Sequence, residues 1–157
     1  MQGLEGFQLD IKWALRFLGL ASYIAQWSKD PSTKVGAVIS QGNRIVSLGY
    51  NGFPTGIVDD HYRLEDRDTK LNIVIHAEEN AILFARRSLV GCTIFVNRIP
   101  CPRCMSKIIQ TGITSVFYEE NQEFEERYEQ QVKLTKELAY EANVPMFKLS
   151  GGVIVNA

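Results

Sequence analysis

The sequence predicts an α/β domain, and three features of the chain support this class. Two short β-prone runs on either side of residue 42 form a predicted hairpin, and helical and β-prone segments alternate after residue 77. The length of 157 residues and the 45% apolar content are ordinary for one domain with a sizeable core. We therefore expect residues 1–157 to form a single domain that contains both antiparallel and parallel strands.

The first predicted elements are a helix and a β-hairpin. Apolar residues recur at helical spacing up to Ser28, and Lys29-Asp30-Pro31-Ser32 ends this helix. The β-prone runs Val35–Ser40 and Ile45–Gly49 surround Gln41-Gly42-Asn43-Arg44, which supplies glycine to a tight turn. The first two strands are therefore expected to be antiparallel neighbours.

A long segment without clear periodicity separates the hairpin from the next helix. From Tyr50 to about Ile73 it contains glycine, proline and aspartate, followed by a charged run at residues 63–70. Loops of this length are uncommon in a small domain unless they build a site. We expect the charged run itself to lie on the solvated surface.

Helical and β-prone segments alternate in the rest of the chain, which predicts that these strands are parallel. Arg86-Arg87 is expected in the last turn of one helix, Gly112 directly after another, and Pro145 after a third. In chain order the predicted elements are a helix at Ala77–Arg87, a strand at Thr93–Val96, a helix at Pro100–Gln110, a strand at Ser115–Tyr118, a helix at about Gln122–Ala142 and an edge strand at Met146–Leu149.

The charge balance and the cysteine content exclude several classes of function. Seventeen Lys and Arg against eighteen Asp and Glu give a net charge of −1, so no broad basic surface for nucleic acid is expected. No apolar run approaches the roughly 20 residues that span a bilayer, and Met1–Asp10 lacks the pattern of a signal peptide. We therefore expect a cytoplasmic protein with no membrane partner. Three cysteines in such a chain favour metal binding or packing over disulfides.

The residues around His76 and Cys101 form the constellation that carries chemistry. His76-Ala77-Glu78 opens one predicted helix, and Pro100-Cys101-Pro102-Arg103-Cys104 opens the next. Cys101 and Cys104 are three residues apart, so both sulfurs face one side of a first helical turn and can bind one ion, with His76 as the third ligand. Zinc with three protein ligands keeps an open fourth position, which is typical of catalytic sites. Two helix N-termini add partial positive charge that favours thiolates.

Glu78 is interpreted as a proton carrier rather than a fourth ligand. A zinc-bound water has a pKa lowered toward about 7, and a carboxylate beside it can take its proton and deliver it to a leaving group. Cys92 is expected to pack in the core and His61 to lie on the surface, so neither completes a closed structural site. An incidental Cys-x-x-Cys or a redox dithiol is the alternative, and the upstream His-x-Glu disfavours it.

At these residues the sequence resembles the deoxycytidylate (dCMP) deaminase family, within the zinc-dependent cytidine/deoxycytidylate deaminases. The zinc motif is shared by the whole superfamily, and Gly49-Tyr50-Asn51-Gly52-Phe53-Pro54 is the most discriminating segment. The resemblance covers roughly residues 10–149. The other matching segments, in family order, are Ser28-Lys29-Asp30-Pro31, Val35-Gly36-Ala37, Asp59-Asp60, His76-Ala77-Glu78-x-Asn80-Ala81-Ile82 and Ile108-Ile109-Gln110-x-Gly112-Ile113.

The resemblance implies hydrolytic deamination of dCMP to dUMP with release of ammonia, which supplies dUMP for thymidylate synthesis. Zinc on His76, Cys101 and Cys104 would activate water for attack on C4 of cytosine, while Glu78 passes a proton to N3 and then to the leaving amine. The implied fold is α/β and cytidine deaminase-like, with three α-β-α layers around a five-stranded mixed sheet.

The resemblance also implies substrate contacts, effectors and an assembly. Asn51 is similar to the asparagine that contacts the substrate in related deaminases, and Lys34 is a weaker candidate for a nucleotide contact. Many family members are homohexamers that dCTP with Mg²⁺ activates and dTTP inhibits. Their effectors bind near the segment that corresponds here to Gly49, Tyr50, Asn51 and Gly52.

One departure from the family and several alternative functions follow from the same residues. Some members hold a second, structural zinc between residues corresponding to 53 and 75, where this chain offers only His61, so one zinc per chain is expected. A tRNA adenosine deaminase would carry a basic surface, which the net charge and the acidic run at residues 119–126 oppose. A free cytidine deaminase typically has cysteine in place of His76. A bifunctional dCMP/dCTP deaminase stays open, and a non-catalytic zinc module would need a fourth ligand.

Overall fold

The computed structural model describes residues 9–157 as one mixed sheet with helices on both faces. The expectation that Met1–Asp10 is no signal peptide falls mostly on residues 1–8, which lie outside the described residues. The strands are β1 (Gly36–Gln41), β2 (Arg44–Tyr50), β3 (Thr93–Val96), β4 (Ser115–Glu119), β5 (Met146–Ser150) and β6 (Val153–Asn156). The helices are α1 (Ile11–Ala25), α2 (His61–Glu65), α3 (Arg67–Ile73), α4 (Ala77–Ala85), α5 (Pro102–Gln110), α6 (Gln122–Arg127) and α7 (Glu129–Glu141).

The described sheet has six strands in the order β2-β1-β3-β4-β5-β6, so the expectation of five strands is wrong. The predicted hairpin and the predicted parallel run are both present, since β1 pairs antiparallel with β2 and β3, and β3, β4 and β5 are parallel. The additional strand β6 returns antiparallel along β5 after a turn in which Gly151 and Gly152 both have positive φ, 56° and 82°. Consequently β5 is an interior strand and not the edge strand predicted.

The two faces of the sheet bury separate cores, which gives the three layers expected. On the face covered by α1, phenylalanines from three neighbouring parallel strands form a row, with ring centroids 5.1 Å apart for Phe95 and Phe117 and 4.8 Å apart for Phe117 and Phe147. Strand register places these residues directly opposite one another. The opposite face packs against α4, α5 and α7 through small and aliphatic residues, namely Ala77, Ala81, Met105, Ile108 and Ala139. The helices that begin at the metal motif therefore belong to this second layer.

Three predicted elements differ from the structure. The helix predicted at 122–142 breaks at Tyr128, whose φ of −115° and ψ of 32° lie outside the helical region. The segment predicted as a loop up to Ile73 contains α2 and α3, which Asp60 and Asp66 cap by accepting from backbone N–H groups. Helix α4 ends at Ala85, so Arg86 lies after it in a left-handed conformation with φ of 50°.

Within residues 9–157, no helix combines the length and apolar character needed to cross a membrane.

Candidate active site

The metal motif lies where two helices begin. His76 is the N-cap of α4 and Cys101 is the N-cap of α5, and both have extended backbone conformations. Pro102 occupies the first turn of α5, where its missing N–H costs nothing. The partial positive charges of both helix N-termini are therefore directed at the same place, as the sequence predicted.

The three predicted ligand atoms converge. The Nδ1 atom of His76 lies 3.6 Å from Sγ of Cys101 and 3.3 Å from Sγ of Cys104. All three atoms lie within 4.8 Å of one another. Tetrahedral zinc, with bonds of about 2.0 Å to nitrogen and 2.3 Å to sulfur, separates its ligand atoms by roughly 3.5–3.8 Å. His76, Cys101 and Cys104 are therefore positioned to bind zinc.

The ionisation of the two thiols suits a divalent cation. A hydrogen bond from Cys104 lowers the pKa of Cys101 to about 4 and correspondingly raises the pKa of Cys104, because the pair shares one proton. The interaction with Cys101 also raises the pKa of His76. One thiolate is thus present at neutral pH before a metal binds, and thiolate is the form of cysteine that binds zinc.

Glu78 lies in the first turn of α4, two residues after His76, and is only 4% exposed. Burial raises the pKa of its carboxyl to about 7, because the charged form loses its hydration. A carboxyl with this pKa gains and loses its proton readily at neutral pH. The position and the pKa are therefore those expected of a general acid and base.

Glu79 joins the two helices that carry the metal motif, a role that sequence reasoning missed. Its carboxylate forms an ion pair with Lys107 of α5 and lies 3.5 Å from the backbone N of His76. Burial opposes the ionisation of Glu79, but the ion pair with Lys107 holds its pKa below the usual range. The signal in the sequence is a glutamate three residues after the N-cap of α4, which is the position of a capping-box acid.

Asn51 is buried directly after β2, and both polar atoms of its side-chain amide form hydrogen bonds with the backbone of residues 33–35. Its Oδ1 accepts from Val35 N at 2.8 Å, and its Nδ2 donates to the Thr33 carbonyl at 2.9 Å. The next residue, Gly52, forms an antiparallel bridge with Ile75, the residue before His76. The structure therefore brings the segment containing Asn51 next to the metal group.

Lys34 lies at the end of the sheet where β3 ends. Its side chain is exposed, and its backbone carbonyl accepts from Nδ2 of Asn97 at 3.1 Å. Asn97, which follows β3, also accepts from Gly36 N at 2.9 Å. Asn97 thus fixes the backbone at Lys34, whereas no contact fixes the lysine side chain among the described residues.

The predicted effector segment contains two glycines with different surroundings. A Cβ atom on Gly49 would lie 2.3 Å from the Ala77 carbonyl oxygen and 2.4 Å from Ala81 N, so β2 and α4 pack too closely for any side chain there. A Cβ atom on Gly52 would meet no heavy atom within 4 Å. Close packing therefore accounts for Gly49 without a ligand, and it does not account for Gly52. Tyr50 is 41% exposed, and its carbonyl accepts from Asn80.

The two remaining candidates lie away from the metal group, as expected. Cys92 is fully buried in the core. His61 begins α2 on the surface, where its Nε2 lies 3.2 Å from Glu65. Neither is part of the three-residue group found among the described residues.

Together the α/β fold and the His-Cys-Cys group beside a buried glutamate define a zinc-binding hydrolytic domain of the deaminase class. Residues 11–120 match the family model described as the cytidine and deoxycytidylate deaminase zinc-binding region. The chain belongs to this cytidine and deoxycytidylate deaminase family.

Relatives of known sequence or structure support this assignment. An uncharacterized deaminase from the luxG 3′ region of Aliivibrio fischeri is 48% identical over 134 residues, which cover 85% of this chain and 90% of the relative. A probable deoxycytidylate deaminase of Caenorhabditis elegans is 43% identical, over 73% of this chain and 60% of that protein. The cyanophage S-TIM5 dCMP deaminase, solved with dCMP and dUMP, superposes with a TM-score of 0.75 at 27% identity, over 90% of this chain and 99% of the other.

Proposed function

We propose that the protein deaminates dCMP hydrolytically to dUMP and ammonia, and that it thereby supplies dUMP for thymidylate synthesis. The observation that carries the proposal is the convergence of His76, Cys101 and Cys104 next to the buried Glu78. Relatives named deoxycytidylate deaminases support dCMP as the substrate, as does the cyanophage enzyme solved with dCMP and dUMP.

His76, Cys101 and Cys104 would hold a single zinc ion. Zinc supplies a Lewis acid that lowers the pKa of water toward neutrality when it is bound in an open three-ligand site. The chain contributes a preformed thiolate at Cys101 and two helix N-termini that stabilise negative charge. The ion pair between Glu79 and Lys107 joins the first turn of α4 to the last turn of α5.

Glu78 would carry the proton that the reaction must move. Its carboxylate accepts a proton from the attacking water and delivers it to N3 of cytosine. The same carboxylate then takes the second proton of that water, from the hydroxyl group now on C4, and passes it to the exocyclic amine, which leaves as ammonia. A pKa near 7 permits both transfers at neutral pH, since neither protonation state is strongly favoured.

Asn51 and Lys34 would contact the nucleotide. Asn51 has a fixed amide next to the segment that ends at His76. Lys34 offers an exposed cation at the end of the sheet where β3 leads toward Cys101. A flexible cation of this kind suits an anionic phosphate.

Regulation and assembly belong to the same proposal. We expect dCTP with Mg²⁺ to activate and dTTP to inhibit through the segment at Gly49, Tyr50, Asn51 and Gly52, in a homohexamer. The open space around Gly52 leaves room for a ligand there. Exposed apolar side chains lie four or eight residues apart at Ile11, Leu15 and Tyr23 of α1 and at Trp27 just after it, and this supports burial of this face between subunits.

The proposed activity is tested with an ultraviolet assay on purified zinc-loaded protein. The substrates are dCMP, dCTP, deoxycytidine and CMP at matched concentrations. Turnover of dCMP in clear excess over the other three supports the proposal. Comparable turnover of dCTP supports a bifunctional enzyme, and absence of dCMP turnover refutes the proposal.

The proposed regulation is tested by the rate as a function of dCMP concentration. We expect a sigmoidal curve that dCTP with Mg²⁺ shifts to lower dCMP and dTTP shifts to higher dCMP, with a coupling of about 1–3 kcal/mol. Light scattering on the same samples measures the number of subunits. Hyperbolic curves that neither triphosphate changes would refute allosteric control.

A further inference from the structure

A largely buried ion pair joins helix α3 to the loop that follows α1. Nζ of Lys70 lies 3.4 Å from Oδ1 of Asp30, and the two side chains are only 13% and 10% exposed. Most other residues of the charged run 63–70 are exposed, as the sequence predicted. Burying a lysine and an aspartate is costly unless further contacts compensate for the lost hydration. The contacts of Asp30 show what this pair holds in place.

Asp30 fixes the shape of the loop between α1 and β1. Its Oδ1 accepts from Ser32 N at 2.8 Å and from Thr33 N at 3.2 Å, in addition to facing Lys70. Its own backbone N–H donates to Ser28 Oγ at 3.2 Å. Nζ of Lys70 also lies 3.4 Å from Ser32 Oγ. The ion pair thus stands at the centre of the hydrogen bonds that order residues 28–33.

The second carboxylate oxygen of Asp30 faces Asn51. Nδ2 of Asn51 lies 3.5 Å from Oδ2 of Asp30 and donates to the Thr33 carbonyl, while Oδ1 accepts from Val35 N. A flipped amide would place its oxygen against the Asp30 carboxylate and the Thr33 carbonyl, so the orientation seen is strongly favoured. Among the described residues, Val35 N is the one donor bonded to Oδ1, and an amide oxygen has two lone pairs. The second lone pair of Oδ1 accepts no hydrogen bond from the described residues.

Backbone pairing places this oriented amide beside the metal group. Gly52 N donates to the Ile75 carbonyl at 3.1 Å, and Ile75 N donates to the Gly52 carbonyl at 2.8 Å. His76 follows directly. The amide of Asn51 is therefore set in a segment that cannot shift without moving the backbone of a metal ligand.

We infer that Lys70, acting through Asp30, is a positioning residue that fixes the Asn51 amide for substrate binding. The inference rests on the proposed function, because that proposal assigns Asn51 to the substrate. Without the lysine charge, the buried Asp30 carboxylate loses its counter-charge and is held only by the N–H groups of Ser32 and Thr33 and by the Asn51 amide. The loop at residues 28–33 then loosens, and with it the Thr33 carbonyl that orients the Asn51 amide. Lys70 is not placed at the reacting atoms, so its loss weakens substrate binding more than it slows the chemical step.

The first test compares Lys70→Met with Lys29→Met as the matched control. Lys29 forms an ion pair with Asp59 at 2.9 Å in the same region, but its side chain is 69% exposed. Lys70→Met is expected to keep its zinc and to raise KM about tenfold, with kcat within about threefold of the wild-type value. Lys29→Met is expected to keep both constants. Equal KM values for the two variants overturn the inference, whereas a wild type that does not deaminate dCMP refutes the proposed function instead.

A double-mutant cycle separates positioning from a general loss of stability. If Lys70 acts through Asn51, Lys70→Met adds little to the KM of an Asn51→Ala variant, whereas independent effects multiply. Multiplying effects overturn the inference. Asp30→Asn is the second way to break the pair, should Lys70→Met fail to fold, and the same KM change is expected. Faster amide hydrogen exchange at Val35 in either variant reports the released amide directly, and unchanged exchange contradicts it.

Discussion

At the residue scale, the proposed activity depends on Glu78, whose burial brings the pKa of its carboxyl close to neutral pH. Glu78 is nearly inaccessible, so its ionised form is poorly hydrated and its pKa lies near 7. An exposed glutamate would be almost fully ionised at neutral pH, so it would rarely carry a proton that it could donate. Burial in the first turn of α4 therefore gives Glu78 the pKa that the proposed proton carrier needs.

Glu78→Gln removes the proposed proton carrier while preserving the shape of the side chain. We expect it to keep one zinc per chain and the folded structure, and to lose about 10²- to 10⁴-fold in turnover, the usual contribution of proton transfer. Turnover and zinc content are measured on the same sample. Glu79→Gln is the matched control, since Glu79 braces the helices without reaching the proposed reaction, and its turnover should fall much less. Near-normal turnover by Glu78→Gln would remove Glu78 from the mechanism.

The residues of the metal group could be predicted because their geometry is local. Cys101 and Cys104 share one helical turn, and His76 precedes a helix of its own, so spacing alone indicated one ion. The partners of Asp30 could not be predicted in this way. Lys70 is 40 residues away in the sequence, and its inward direction depends on how α3 packs. The same charged run predicts a solvated surface, and its single lysine, Lys70, is the exception.

At the element scale, the position of α4 depends on the absence of a side chain at Gly49. Gly49→Ala would force its Cβ into the Ala77 carbonyl and Ala81 N, and overpacking of this kind typically costs about 1–3 kcal/mol or more. Because α4 carries His76 and Glu78, we expect lower thermal stability together with weaker zinc binding. Calorimetry and zinc analysis measure both effects.

Gly52→Ala is the matched control for Gly49→Ala, because its new methyl group meets open space. It should retain stability and zinc, and any change in the response to dCTP would then indicate a role of Gly52 in effector binding. Equal destabilisation by the two substitutions would contradict the packing explanation.

Asn97 joins the beginning of β1 to the end of β3 through two side-chain hydrogen bonds. Asn97→Ala leaves the buried N–H of Gly36 without its acceptor and should lower the free energy of unfolding by about 1–3 kcal/mol. Asn97→Asp keeps that acceptor but places a buried carboxylate oxygen against the Lys34 carbonyl, so it should also destabilise the fold. Urea denaturation measures the free energy of unfolding of both variants, provided that its slope against urea concentration equals that of the wild type. An Asn97→Ala midpoint equal to that of the wild type would show that the bond contributes nothing.

The elements themselves were predictable where their patterns were long or strongly buried. The hairpin, α1, and strands β3 and β4 occur near their predicted bounds. The break at Tyr128 interrupts an apolar pattern that continues on both sides of it, so periodicity alone could not reveal it. Strand β6 has only four residues, of which Ile154 alone is buried, and its place depends on pairing with β5.

At the scale of the whole molecule, metal binding should couple to global folding. The ligands come from the beginnings of α4 and α5, which pack on the same face of the sheet, so the unfolded chain does not hold them together. Free zinc at about 1,000 times its dissociation constant would stabilise the folded state by roughly 4 kcal/mol. For a domain of this size, that corresponds to a rise in Tm of about 8–16 °C.

Calorimetry of zinc-loaded and chelated protein measures this coupling, with two cysteine variants as controls. Cys104→Ala removes a ligand, so chelation should leave its already lowered Tm nearly unchanged. Cys92→Ala removes a buried cysteine outside the metal group, so loss of packing lowers its starting Tm, yet chelation should lower that Tm by as much as in the wild type. Comparing the two variants separates the stabilisation by the metal from the effect of losing a buried thiol. If chelation strips zinc from the wild type without lowering Tm, the site is not coupled to the fold, and packing together with the ion pair between Glu79 and Lys107 suffices to hold α4 and α5 in place.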